Sequence, residues 1–207
     1  MQFTEFQHNL APYAVFSLHD IQKIKPDFHR IQLDRWEKKG YLKKIKQGYY
    51  CLSGQQFNQN LLFLIANLIY PPSYISLQSA LKFYGLIPEE IFQITSVSTK
   101  KTASFATSVA NFNYRRLKPS LFFGYRLIEF NRQKLLLADP EKAILDYLYL
   151  HPRLKTADDF QSLRINSDEF NRQFNPDKFQ QYLNAFESKA LTRRAKIFLT
   201  AITNDQP

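Results

Sequence analysis

The chain has 207 residues, 44% of them apolar and 15% aromatic, with only 5 glycines, a composition that fills a core and excludes general disorder. Its 28 Lys and Arg against 18 Asp and Glu give a formal charge of +10, which favours polyanionic partners. The single cysteine, Cys51, excludes an intrachain disulfide framework, and apolar runs such as LLFLIANLIY reach only about half a membrane span.

The first residues, MQFTEFQHNLAPY, show no charged segment followed by an apolar one and do not read as a signal peptide. A cytoplasmic protein without membrane contact is therefore expected. Charge is unevenly spread. Residues 1–55 carry a net +4 and residues 100–134 a net +7, whereas residues 135–170 carry −3.

In chain order, residues 9–16 read as a short helix with Asn9 as its N-cap. Ser17 followed by Asp20 has the spacing of a capping box, so a second helix starts there and stops before Pro26. Asp27 is placed to cap a third helix over about 28–39, which Gly40 ends. On that helix Leu33 and Trp36 form the buried pair, and Arg30, Ile31, Asp34, Arg35 and Lys38 face away. Residues 41–45 and 49–52 are two strands joined over Lys46-Gln47-Gly48.

A linker near SGQQFNQN leads to a buried helix over 59–70, broken by Pro71-Pro72. SYIS is a brief strand, LQSALKFYGL a helix, and IFQITSVST a β-branched strand. ANFNYRRL, LFFGYRLIEF and QKLLLA are strands, the last two a hairpin. DPEKAILDYLYL is a helix with Asp139 as N-cap and Pro140 at its first position. The remainder is helical, with starts at Thr156 and at Asn175-Pro176 and a last helix over about 187–202. The expected fold class is α+β. An N-terminal winged helix-turn-helix (1–55) precedes a mixed domain (56–207) with a small, mostly antiparallel sheet and a helical part from about 153.

The ordered set RWEKKGYLKKIKQGYYCL, YISLQSALKFYGLIPE, ITSVSTKKT, FNYRRL, FFGYRLIEF and LADPEKAILDYLYL resembles the AbiEi-type antitoxins of type IV abortive-infection toxin–antitoxin systems. The resemblance covers roughly residues 15–150. It implies a winged-helix repressor that binds inverted repeats in its own promoter. It further implies a second domain that counters a nucleotidyltransferase-like toxin, with no direct contact required.

For DNA binding, Arg30, Gln32 and Arg35 are the candidates to read or line the groove, because Arg and Gln pair bidentately with guanine and adenine edges. Lys38, Lys39, Lys43 and Lys44 are candidates for phosphates, with Lys46 and Gln47 at the hairpin tip. A second polyanion surface is expected from Lys100, Lys101, Arg115, Arg116, Lys118, Arg126, Arg132 and Lys134, with Tyr114 and Tyr125 beside them candidates to stack on bases, although such tyrosines are more often core or rim packing.

The four histidines have no metal-ligand spacing, and no CxxC, HExxH, GxSxG or glycine-rich phosphate loop occurs. No catalytic residue, metal or cofactor is assigned, and the chain is not expected to be an enzyme. Cys51 reads as buried and inert. The alternative function is a protein-interaction or RNA-directed module without operator binding.

Overall fold

The structure, a computed structural model, describes residues 1–89 and 92–204. The expectation that IFQITSVST begins its strand at Ile91 falls outside the described residues at that one position. The fold is α+β, with a three-stranded antiparallel sheet and a six-stranded mixed sheet.

The first helix, α1, is Phe3–Leu10, not 9–16. Phe6 and Leu10 recur at helical spacing and are buried, so this stretch has an apolar face to bury. The segment read as a helix instead leads into strand β1, Phe16–Ser17. Helix α2, Leu18–Ile24, has the full capping box: the Asp20 N–H donates to Ser17 Oγ, and the Ser17 N–H donates to Asp20 Oδ2.

Helix α3 is Arg30–Lys38, with His29 in the cap position and no side-chain cap bond. Asp27 does not cap it. Its carboxylate pairs with Lys25 at 3.2 Å, while Phe28 turns into the core and holds the chain extended through His29. At the far end, Gly40 sits at φ +73°, where its N–H donates to Glu37 O and the Tyr41 N–H donates to Trp36 O. This crossed pair satisfies the last carbonyls and needs a left-handed residue, which is the reason for glycine there. Strands β2, Leu42–Lys46, and β3, Tyr49–Leu52, follow.

The three strands lie in the order β1-β3-β2. Their two faces feed two different cores. Phe16, Leu42 and Tyr50 join Phe6, Leu10, Ile21, Phe28, Leu33 and Trp36 in a small aromatic core. Val15, Ile45 and Cys51 belong to the large core of the rest of the chain. An irregularity between Lys44 and Lys46, opposite Tyr50 and Tyr49, lets Ile45 and Lys46 both turn toward the large core.

The large unit begins with α4, Gln59–Ile69, capped by Asn58. Then come β4, Ser73–Ile75; α5, Leu77–Phe83; and β5, Gln93–Ser98. Strands β6, Ala103–Ala106, and β7, Asn111–Arg116, precede a single 3-10 turn at Pro119–Leu121. Strands β8, Tyr125–Phe130, and β9, Gln133–Ala138, are joined by Asn131 and Arg132, both at positive φ as a two-residue hairpin turn requires.

The sheet order is β6-β7-β5-β4-β9-β8. The expected mostly antiparallel sheet is mixed, because β4 pairs parallel with β9 and β5 parallel with β7. The chain passes from β5 to β7 through β6, the edge strand antiparallel to β7, and from β4 to β9 through α5 and strands β5 to β8. β6 had no expectation, since ASFA shows no apolar alternation and is held by its pairing with β7.

Helices α6, Pro140–Leu150; α7, Ala157–Gln161; α8, Ser167–Gln173; α9, Pro176–Ala185; and α10, Lys189–Asn204 complete the fold. Thr156 caps α7 and Asn175 caps α9 as expected from their spacing. Asp139 precedes α6 without capping it. Its Oδ2 accepts from the Tyr182 hydroxyl at 2.9 Å and pairs with Lys178 Nζ at 2.8 Å. No described helix is long and apolar enough to cross a membrane.

Beneath α6 lies a fully buried polar network. Lys142 Nζ donates to Asp146 Oδ1 and, at 2.8 Å, to the Tyr74 hydroxyl. Tyr74 Oη and Ser76 Oγ donate to Asp146 Oδ2 at 2.9 and 2.8 Å. The rings of Phe186, Phe123 and Tyr74 stand 5.0–5.5 Å from the ammonium. Burial pushes the Asp146 carboxyl up and the Lys142 ammonium down, each opposed by the other's charge. This network ties β4 to α6.

Candidate nucleic-acid interface

Helix α3 presents one bare face. Leu33 and Trp36 anchor it to the small core, against Phe6 and Phe28. At about 100° per residue, Ile31, Arg35 and Lys38 then form one outward stripe. All three are exposed, as are Arg30 and Lys39, whereas Asp34 is half-buried. Lys39 stands 6.0 Å from the Tyr41 ring centre. Helix α2 and the turn through Pro26 and Phe28 brace α3 from behind, with Gln22 Nε2 donating to Phe28 O.

Gln32 departs from expectation. It is half-buried and its Nε2 donates to Met1 O at 3.3 Å, which draws it toward α1 and away from the outward stripe.

The hairpin departs further. Lys46 is not at its tip. It lies in β2, and its ammonium donates to Ile69 O at 3.3 Å while sitting 3.2 Å from the centre of the Phe105 ring. Burial lowers its pKa from the ordinary lysine value. Lys43, on the same strand face, stands 4.9 Å from the Phe57 ring. Lys44 is on the other face, half-buried, with its carbonyl accepting from Ser108 Oγ. The exposed tip is Gln47, beside Gly48 at φ +90°. One side of the hairpin is thus packed on the large unit, and its free elements are the tip and the edge beside α3.

Two further contacts join the units. Gln133 Nε2 donates to Val15 O at 2.8 Å, and the Val15 N–H donates to Gln133 Oε1 at 3.1 Å. Arg132 and Lys134 flank that glutamine and are exposed.

The eight cations of residues 100–134 do not form one surface. Lys100, Lys101, Arg116 and Lys118 gather where β5 and β7 end, near one edge of the six-stranded sheet. Lys100 stands 5.4 Å from the Tyr70 ring, and the Arg116 N–H donates to Thr102. Arg115 points to the opposite face from Arg116 and is half-buried. Arg126 and Lys134 lie on β8 and β9 and Arg132 in the turn between them, at the other edge, with Arg126 over the Tyr84 ring at 5.2 Å. A basic run in sequence is split because the β-strands on either side of it are placed at opposite edges. Tyr114 is core, fully buried with its hydroxyl donating to Ala66 O, and Tyr125 packs on Tyr74 and Phe122.

Cys51 is buried, and desolvation pushes its thiol up to about 11. Among the described residues no group of three or more His, Cys, Asp or Glu is placed to hold a metal ion. A cleft of about 470 Å³ opens between α5, β5 and α6, lined by Gln78, Leu81, Gln93, Asn111 and Tyr147 among others. Its walls bring together amides, hydroxyls and apolar groups with the carboxylate of Glu89, which Arg164 holds at 2.8 Å.

A comparison of the chain with protein-family models and with curated proteins gives no match.

Proposed function

We propose that this chain is a DNA-binding transcriptional repressor, with its first 52 residues acting as a winged helix, and that it serves as the antitoxin of a type IV toxin–antitoxin system. The observation that carries the DNA-binding reading is the succession helix, strand, helix, helix, strand, turn, strand. It is closed by a β1-β3-β2 sheet and leaves the Ile31–Arg35–Lys38 face of α3 bare. In this reading α3 enters the major groove with its N-terminal turn foremost, while α2 crosses the backbone. Arg30 and Arg35 reach groove edges, Lys38 and Lys39 meet phosphates, and Gln47 and the free edge of the hairpin touch the flank.

The antitoxin half rests on the resemblance of residues 15–150 to AbiEi-type proteins. It places the binding site in the chain's own promoter, at inverted repeats, and gives it a nucleotidyltransferase-like toxin to counter without obligatory contact. The protein would then act in the cytoplasm, as a regulator without a cofactor and not as an enzyme.

A gel-shift with the DNA upstream of its own reading frame tests the first half. Binding should weaken steeply with salt, because phosphate contacts release counterions. The double change Arg30→Glu and Arg35→Glu should abolish it. Absence of binding at low salt would end this reading. Co-expression with the neighbouring nucleotidyltransferase gene tests the second half, and rescue of growth is the expected result.

A further inference from the structure

We propose that Ile31 reads the 5-methyl group of a thymine in the major groove, a role that rests on the DNA-binding reading above. Ile31 is 62% exposed, in the first turn of α3. An isoleucine so placed adds nothing to the small core, whose helix anchors are Leu33 and Trp36. Those anchors lie about 160° and 140° around the helix from Ile31.

Its neighbours point to the surface it meets. Arg35 lies about 40° to one side and Lys38 about 20° to the other, one and two turns along. The apolar side chain is therefore the middle of a cationic stripe. Asp34, about 60° away, disfavours a phosphate in that place. The centre of the stripe then faces base edges, with Arg35 reaching the groove edge on one side and Lys38 the backbone on the other. Base edges in the major groove offer hydrogen-bonding groups and one apolar group, the thymine methyl. A β-branched side chain on a helix is held in one dominant rotamer, so its methyl groups are already placed for that contact.

The test begins by selecting, with the full chain, tightly bound duplexes from a random-sequence DNA library. Each thymine of the selected duplex is then replaced in turn by deoxyuridine, which removes only the methyl. At one position per bound α3, the wild-type chain should lose about fourfold in affinity, the worth of one buried methyl. Ile31→Ala should bind thymine and deoxyuridine equally at that position, and Ile31→Val should keep part of the difference. An unchanged melting curve for Ile31→Ala shows that the fold is intact, as its exposure predicts.

Selection of a specific duplex with no loss at any deoxyuridine overturns the assignment to Ile31 alone. The same holds if Ile31→Ala keeps the full discrimination. Failure to enrich any duplex overturns the DNA-binding reading, and this role with it.

Discussion

Lys46 and Phe105 meet face to face across the seam between the two sheets, with the ammonium 3.2 Å from the ring centre. The same ammonium donates to Ile69 O at the end of α4. A lysine expected at a hairpin tip, turned toward nucleic acid, is instead a rivet between two units.

This fixes what its removal should do. Lys46→Ala should cost about 1–2 kcal/mol of stability, from a partly desolvated cation–π contact and a lost charged hydrogen bond. Urea unfolding would measure it. In DNA binding, Lys46→Ala should leave the salt slope unchanged, whereas Lys38→Ala should lower it by about 1. A fall in slope for Lys46→Ala would mean that its ammonium leaves Phe105 to reach a phosphate.

The Lys142–Asp146 pair should be costly to halve. Asp146→Ala strands an ammonium among the rings of Phe123, Phe186 and Tyr74, and a loss of about 3–5 kcal/mol is expected. The double change Lys142→Met and Asp146→Leu should cost less than Asp146→Ala alone, because no charge is left buried. A double-mutant cycle in chemical denaturation decides it. Additive losses would contradict the coupling.

Gly124 stands beside that network at φ +72°. A Cβ there would lie 3.0 Å from Cγ and Cδ of Lys142 and from Cε2 of Tyr182. Gly124→Ala should therefore cost about 2–4 kcal/mol, from left-handed backbone and crowding together. Gly40→Ala is the control: its φ of +73° is nearly the same, but nothing lies within 4 Å of the added carbon. It should cost only the backbone part, about 1 kcal/mol.

His151 gives a pH dependence. Burial lowers its pKa below 6.5, the Tyr147 carbonyl opposes this, and the charge of Arg115 adds to it. The unfolded imidazole thus takes a proton at higher pH than the folded one. Its contribution to stability is complete above about pH 6.5 and is lost as pH falls through the folded value. Unfolding at pH 7.5 and 5.5 should show a smaller drop for His151→Gln than for wild type. An equal drop would assign the pH dependence to other groups.

What could be read from the sequence divides by distance along the chain. Ser17 with Asp20, Thr156 with Asp159, and Gly40 behind α3 act within four residues, and local chemistry alone decides them. The burial of Leu33 and Trp36 follows from helical spacing. The parallel pairing of β4 with β9 joins Ile75 to Leu137, and nothing near either residue announces it. The Val15–Gln133 exchange spans 118 residues, and the contact of Lys46 with Phe105 joins strands of different sheets, so nothing local announces either. α1 was within reach, since Phe6 and Leu10 carry helical spacing. Asn9, a good N-cap residue, points to a later start.

The placement of the candidate interface divides in the same way. Arg35 and Lys38 follow from the helix wheel. Gln32 and Lys46 are withdrawn by Met1 O and Phe105, partners that lie far off in sequence.

The small sheet is a party wall. Tyr50 and Cys51, adjacent in β3, are buried in different cores. A fragment ending near residue 55 would keep one room and lose the other, leaving Val15, Ile45 and Cys51 open to water. The part of this molecule proposed to face DNA is therefore not a detachable module. Melting of the large unit strips the wall from behind, and the two halves are expected to unfold in a single cooperative step.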